Sequence, residues 1–368
     1  MGEGMQPLVD MTVLELCRAG TPRHLRLAMA MAGRLVADLG ARLISVVPPE
    51  GDALAGVPPF AGNGASTVQL FLTMGKEVLS PEDDRAFDQA VEALIALKPA
   101  AVIVAQGDPD LVRFAHAGIA AITLATWPEG SEEDRAGAPV NGFGIMAAGG
   151  ILDIIGDPDR EPLRLGGHQI SYAAGLSAFT ALMAAVAQRD LDGRVLDARI
   201  SLIETAVWMN WKAVVGAAEG DSYPTRHGDK AGFPVLRCKD GWVALIFTPM
   251  QFDRVRAMFP DLPLVDPSGL PHAQRAAALT KTVAPWFAER TRAEIYAEAR
   301  RHGVPLGPVY TPAELLDDEQ FLARDFLIGG GSDGGMLFPR SPMTWNGDRL
   351  PDRASRRIAL TDVAEPTA

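Results

Sequence analysis

Between positions 12 and 47 the apolar residues follow two different rhythms. Residues 12–17 (TVLELC) are a β-branched and aliphatic run ending at Ala19-Gly20-Thr21-Pro22, which predicts a short strand and a turn. From 23 to 39, Leu25, Met29, Ala32, Val36 and Leu39 recur at helical spacing, with Arg23, Arg26 and Arg34 on other faces. Gly40 ends this helix, and residues 42–47 form a second strand. Strand, helix, strand with short loops is a βαβ unit, which implies a parallel sheet.

The pattern continues with a strand at 68–73, a helix at 81–97, the buried strand AVIVA at 101–105, a short helix at 110–116 and a strand at 120–125. Residues 127–167 read as a long loop around a short helix near 145–154, and loops of that length are usually functional. Ser171 opens a helix rich in Ala, Leu and Met. A turn at Asp192-Gly193, a short strand and a helix over 202–222 follow; its Trp208 and Trp211 are expected to pack at a domain junction. Past Tyr223-Pro224 and Gly232-Phe233-Pro234 come a hairpin turning at Lys239-Asp240-Gly241 and helices at 250–258, 273–284 and 292–302. Thr311 is a good N-cap for 312–316. The tail has a strand at 336–338 and a polar end after Pro351 that is expected to fray.

These elements divide into a large doubly wound α/β domain over 1–202, to which the tail 329–368 is expected to return, a linker helix and linker over 203–234, and a smaller α+β domain over 235–328. A length of 368 residues suits two domains. The net charge of −12 argues against nucleic acid or an anionic membrane as partner, but leaves room for an anionic small ligand at a local cationic site. Cys17 and Cys238 are too few for a disulfide scaffold or zinc site, and His24, His116, His272 and His302 read as ordinary helix or loop residues, so no metal is expected. A signal-peptide pattern is absent, as is a run of about 18 apolar residues, so a cytoplasmic chain without a membrane span is expected.

Five stretches then fall in a telling order: VLELCRAG with LVADLGARLISVVPPEGD, GGILDIIGDPDREPLRLGG, residues 166–204, RHGDKAGFPVLRCKDGWVALI, and GVPLGPVYTPAELLDDEQFLARDF. Together, over residues 13–328, they resemble the class III CoA-transferase family, which also contains the α-methylacyl-CoA racemases. The resemblance implies a Rossmann-like large domain, a smaller domain, and two chains threaded as interlocked rings. It also implies transfer of coenzyme A from an acyl-CoA to a free carboxylic acid through an Asp carboxylate. That carboxylate attacks the thioester to give a mixed anhydride, and the CoA thiolate returns to give an aspartyl thioester, both activated for the next exchange.

The chain departs from the family pattern where that chemistry is carried. The family's D-Y-A-A-G-L run reads Ser171-Tyr172-Ala173-Ala174-Gly175-Leu176, so Ser171 holds the Asp position with no acid within five residues. Two readings of Ser171 stand side by side: an N-cap for the helix, or a replacement nucleophile with His168 as its base. The racemase G-H-D-x-x-Y run leaves Phe143 at the His position and Gly144 at the Asp. Of the basic N-R-x-K-R run, which implies contacts to the CoA nucleotide, Lys76 remains while an Arg has become Met74; Asp108 stands where the E-N-F-R-P-G run has Arg. Arg226-His227 match the family's R-H-P, with Gly228 for Pro, and complete the implied CoA-binding set. Three functions follow. The chain, expected as a homo- or hetero-dimer, is the non-catalytic subunit of a heteromeric CoA-transferase with an Asp-bearing paralogue, an enzyme of altered acyl-CoA chemistry using Ser171 and His168, or a regulatory protein that binds a CoA ester or acid without turnover.

Overall fold

The computed structural model describes residues 6–157, 159–220, 234–246, 249–266, 269, 270, 272–329 and 336–364. Two compact units emerge, Met1–Ile151 with Arg164–Met209 and Phe326–Ala368, and Leu152–Leu163 with Asn210–Asp325. The break at Asn210 divides the helix expected over 202–222, and Leu152–Leu163 joins the second unit although it lies far from it in sequence.

In the first unit, strands β1 (Thr12–Leu16), β2 (Arg42–Val46), β3 (Glu77–Leu79), β4 (Ala101–Ala105), β5 (Ala120–Ala125) and β6 (Ala198–Ser201) pair in the order β3-β2-β1-β4-β5-β6. Every pair is parallel. Helices α1 (Arg23–Asp38), α2 (Thr67–Thr73), α3 (Asp84–Ala96), α4 (Leu111–His116), α5 (Glu132–Ala136), α6 (Gly142–Ala148), α7 (Gln169–Asp192) and α8 (Leu202–Met209) surround it. Strand alternation sends Leu14, Leu16, Val102 and Val104 into one core with Phe87, Val91 and Leu94 of α3. The intervening Glu15 faces α1, beside Ser45 in register. Both faces of the sheet are therefore covered, as a parallel sheet requires.

Residues 68–73, expected as a strand, are the helix α2. Ser66 caps it, its Oγ accepting the Gln69 N–H at 3.1 Å, and only a helix turns Leu72 fully into the core beside Leu27 and Leu54. By length and composition α7 could cross a membrane. Here it packs on α1 so closely that a Cβ at Gly175 would lie 2.7 Å from both the Ala28 carbonyl and Met31 Cβ.

The second unit contains α9 (Trp211–Ala218), an antiparallel sheet of β7 (Val235–Cys238), β8 (Gly241–Leu245) and β9 (Leu306–Val309), and α10 (Phe252–Met258), α11 (His272–Ala288), α12 (Arg292–His302) and α13 (Glu319–Ala323). Its core joins Leu236, Val243 and Leu245 to Phe259, Phe287 and Ile295. A capping box between Thr291 and Glu294 starts α12, and Gly303 in the left-handed region ends it. Trp208 and Trp211 are 74% and 54% exposed, so neither is the buried packing residue expected.

Two short hairpins, β10 (Leu327–Gly329) with β11 (Leu337–Pro339) and β12 (Thr344–Trp345) with β13 (Asp348–Arg349), precede β14 (Arg356–Ile358). β14 pairs in parallel with β3 and makes the large sheet seven-stranded. The stretch expected to fray is an edge strand. Its Arg356 reaches Glu77 at 2.8 Å, and Ile358 enters the core.

Candidate active site

Helix α7 begins at Gln169 with His168 as its N-cap, and the His168 side chain makes no capping bond. Ser171 is therefore inside the first turn, and the N-cap reading of it is overturned. It is 4% exposed, and its Oγ has no hydrogen-bond partner among the described residues. It lines a cavity of about 280 Å³ walled by Arg23 and His24 of α1, Phe143 and Met146 of α6, and Arg164 and His168. Among the described residues, neither Asp nor Glu is in that wall.

The structure brings Ser171 and His168 to one cavity without coupling them: no hydrogen bond joins them. The His168 ring packs edge-on to Tyr172, centroids 6.0 Å apart at 83°. Burial, and then the nearby Arg164 and Arg23 cations, hold its pKa below the usual histidine value, so it is neutral at pH 7. His24 is buried with Nε2 2.8 Å from Thr126 Oγ1, and burial pulls its pKa down to about 4. At α6, Asn141 Oδ1 accepts the Phe143 and Gly144 N–H groups at 3.1 and 3.0 Å. The positions of the racemase His and Asp thus present a phenyl ring and bare backbone, neither able to carry a proton.

Lys76 is a correction. It is neither a surface lysine nor within reach of a dissolved nucleotide phosphate, because its side chain is completely buried. Its ammonium donates to Glu15 Oε2 at 2.7 Å and the Ala30 carbonyl at 2.8 Å. Arg26 donates to the other Glu15 oxygen at 2.7 Å and bonds Asp52 with both Nε and Nη2. Two cations and two carboxylates thus balance inside the domain. Burial brings Lys76 down to about 8, partly offset by Glu15. Burial alone would raise the Glu15 carboxyl, but Lys76 and Arg26 outweigh it and hold it below the usual range. A Cβ at Gly33 would meet Glu15 Oε2 at 2.1 Å, so glycine leaves the room this ion pair needs.

Asp108 is also paired: it accepts the Asp110 N–H at 2.9 Å and Arg18 Nε–H at 3.3 Å. Arg226 and His227 lie outside the described residues. Sequence reasoning missed Arg23 and Arg164 as cavity residues. A cation at the first position of a helix opposes the macrodipole, and that conflict is the signal by which Arg23 could have been found. Arg164 sits in a loop and carries no such mark.

Comparison with known proteins agrees with this architecture. A model of the family described as CoA-transferase family III matches residues 8–356. The chain is 26% identical to the succinyl-CoA:mesaconate CoA-transferase of Haloarcula hispanica, over 98% of this chain and 97% of that one. It is 29% identical to the succinyl-CoA–D-citramalate CoA-transferase of Chloroflexus aurantiacus, covering 88% and 83% of the two. A CAIB/BAIF family protein from Brucella suis, 24% identical over 98% of both chains, superposes with a TM-score of 0.76 and shares the fold. The chain belongs to CoA-transferase family III.

Proposed function

We propose that this chain is the non-catalytic subunit of a heteromeric CoA-transferase, whose paralogous partner carries the nucleophilic Asp. The observation that carries the reading is that, among the described residues, neither Asp nor Glu lines the cavity beside Ser171. Exchange through a mixed anhydride needs a carboxylate, since a serine ester is too weakly activated to return its acyl group to CoA or to another acid. In an interlocked pair, the chain's role is then to complete the partner's fold and flank its site.

The reading in which Ser171 and His168 form an acyl-transfer pair is less well supported. A hydroxyl nucleophile requires a base within about 2.6–3.2 Å, and His168 makes no hydrogen bond to Ser171. The test is to purify the chain alone, and separately from native extract, and to assay succinyl-CoA with free acids. The expected result is an inactive homomer and co-purification of an Asp-bearing paralogue that restores transfer. Full transfer by the homomer overturns the proposal, and if Ser171→Ala abolishes that turnover, the serine chemistry replaces it.

A further inference from the structure

In the large sheet β1 lies beside β4, and the chain leaves them in opposite directions, from β1 to β2 and from β4 to β5. This is the topological switch point, where open α/β sheets take ligands in the crevice outside the carboxyl ends of the strands. Residues 17–21, after β1, form one lip of that crevice, and residues 106–110, after β4, form the other.

Arg18 spans the two lips. Its Nε donates to Asp108 at 3.3 Å, its Nη2 to Asp110, and its Nη1 lies 3.6 Å from Asp88. The guanidinium also lies over the Phe87 ring, 4.8 Å from its centroid. A cation from one lip is thus held by two carboxylates of the other, whose side chains are only 3% and 7% exposed. Ion pairs so far out of water are costly to break, unlike exposed ones.

The surroundings add no welcome for an anion. The Asp110 N–H is already taken by the Asp108 carboxylate at 2.9 Å. Helix α4, which follows, has six residues and Asp110 as its N-cap, so it offers little positive dipole. Outside Arg18 a groove of about 980 Å³ runs along α3 and α4. Its Arg113 is engaged by Asp110 at 2.8 Å and by Glu92, and Asp84 and Asp88 face Arg85 on the rim. A pyrophosphate entering here meets cations already committed to carboxylates, and repulsion from those carboxylates.

We propose that Arg18 is a latch that closes the switch-point crevice of this chain to nucleotide anions, so that an assembly with the Asp-bearing paralogue holds one CoA for every two chains. The stoichiometry rests on the non-catalytic reading, whereas the closure is a property of this chain alone. The partner then supplies the nucleotide site as well as the nucleophile.

The test titrates CoA by calorimetry, at low ionic strength, into the full chain and into the assembly purified from native extract. No saturable binding to the chain alone is expected, and one CoA per two chains in the assembly. Asp108→Asn with Asp110→Asn removes both carboxylates and frees the Arg18 guanidinium for phosphate. This inner variant should bind CoA with a Kd at least about tenfold below the highest concentration tried on the parent. Its unfolding midpoint checks that it folds; if it does not, the two parent titrations decide. Asp88→Asn with Glu92→Gln, at exposed positions, lowers the negative charge outside while the latch stays shut, and should gain no CoA binding. Saturable CoA binding by the parent chain overturns the inference, as does a folded inner variant that gains none or an outer variant that gains as much. An assembly that contains the paralogue yet holds two CoA per pair defeats this inference alone. A chain that binds CoA only as the inner variant, and brings down no Asp-bearing paralogue, defeats the non-catalytic reading alone.

Discussion

Arg26 and Arg23 lie one turn apart on α1 and end in opposite circumstances. Arg26 is fully buried, with Glu15 on one side and Asp52 on the other, and Lys76 closes the group by taking the second Glu15 oxygen. Arg23 stands at the helix start beside a cavity with no carboxylate among the described residues. The first group is electrically complete, and its parts come from β1, α1, the Asp52 turn and the residue before β3, so it fastens those elements together. The second has no ion-pair partner among the described residues. The contrast separates charge used for architecture from charge left available to a ligand, which residue type and family position do not: Lys76 matches a family position for binding and serves the core.

The largest expected effect tests the complete group. Glu15→Gln removes the shared carboxylate and leaves a surplus buried cation. Breaking a buried pair in this way costs about 3–5 kcal/mol, measurable as a lowered urea midpoint. If stability is unchanged, the cluster is not a fastening.

The next test lies on the rim between the two groups. Burial depresses His24 to about 4 in the folded chain, against about 6.5 unfolded. Its contribution is fully present above pH 6.5, where both states are neutral, and falls as pH drops toward 4, because only the unfolded state then gains a proton. The expected loss is about 3 kcal/mol across that window, and His24→Gln should flatten it in urea titrations between pH 4 and 7. A variant with the same pH profile as the parent refutes the assignment.

The smallest effects compare neighbours on α7. Gly175→Ala forces a methyl against the Ala28 carbonyl and Met31 and should cost about 1–3 kcal/mol. Ser171→Ala, one turn earlier, loses no hydrogen bond and should change stability by less than about 0.5 kcal/mol. Equal costs at the two positions would mean that Ser171 is structural after all.

Much of the large sheet was legible because β1, β2, β4 and β5 are short runs dominated by aliphatic and β-branched residues and bounded by turns, as strands covered on both faces tend to be. Shorter or ambivalent elements were not. Val68, Leu70 and Leu72 alternate as in a strand, and the deciding signal was Ser66 three residues before Gln69. β3 and β14 have three residues each, too few to show a period, so their places come from pairing partners rather than from their own sequence. At the site, position 171 could be located from its flanking residues, but the burial of Lys76 depends on Glu15, 61 residues away. No local pattern contains that pair.

The pairing of β14 with β3 also sets a schedule for biosynthesis. The strand that covers β3 begins at Arg356, 155 residues after β6 ends at Ser201, and the second unit is spelled out between them. Until Arg356–Ile358 have been made, β3 offers the nascent chain and its neighbours an open row of backbone groups, the kind of edge that invites aggregation. A chain truncated before Arg356 would therefore keep every other strand of this sheet and leave β3 as an unprotected flank.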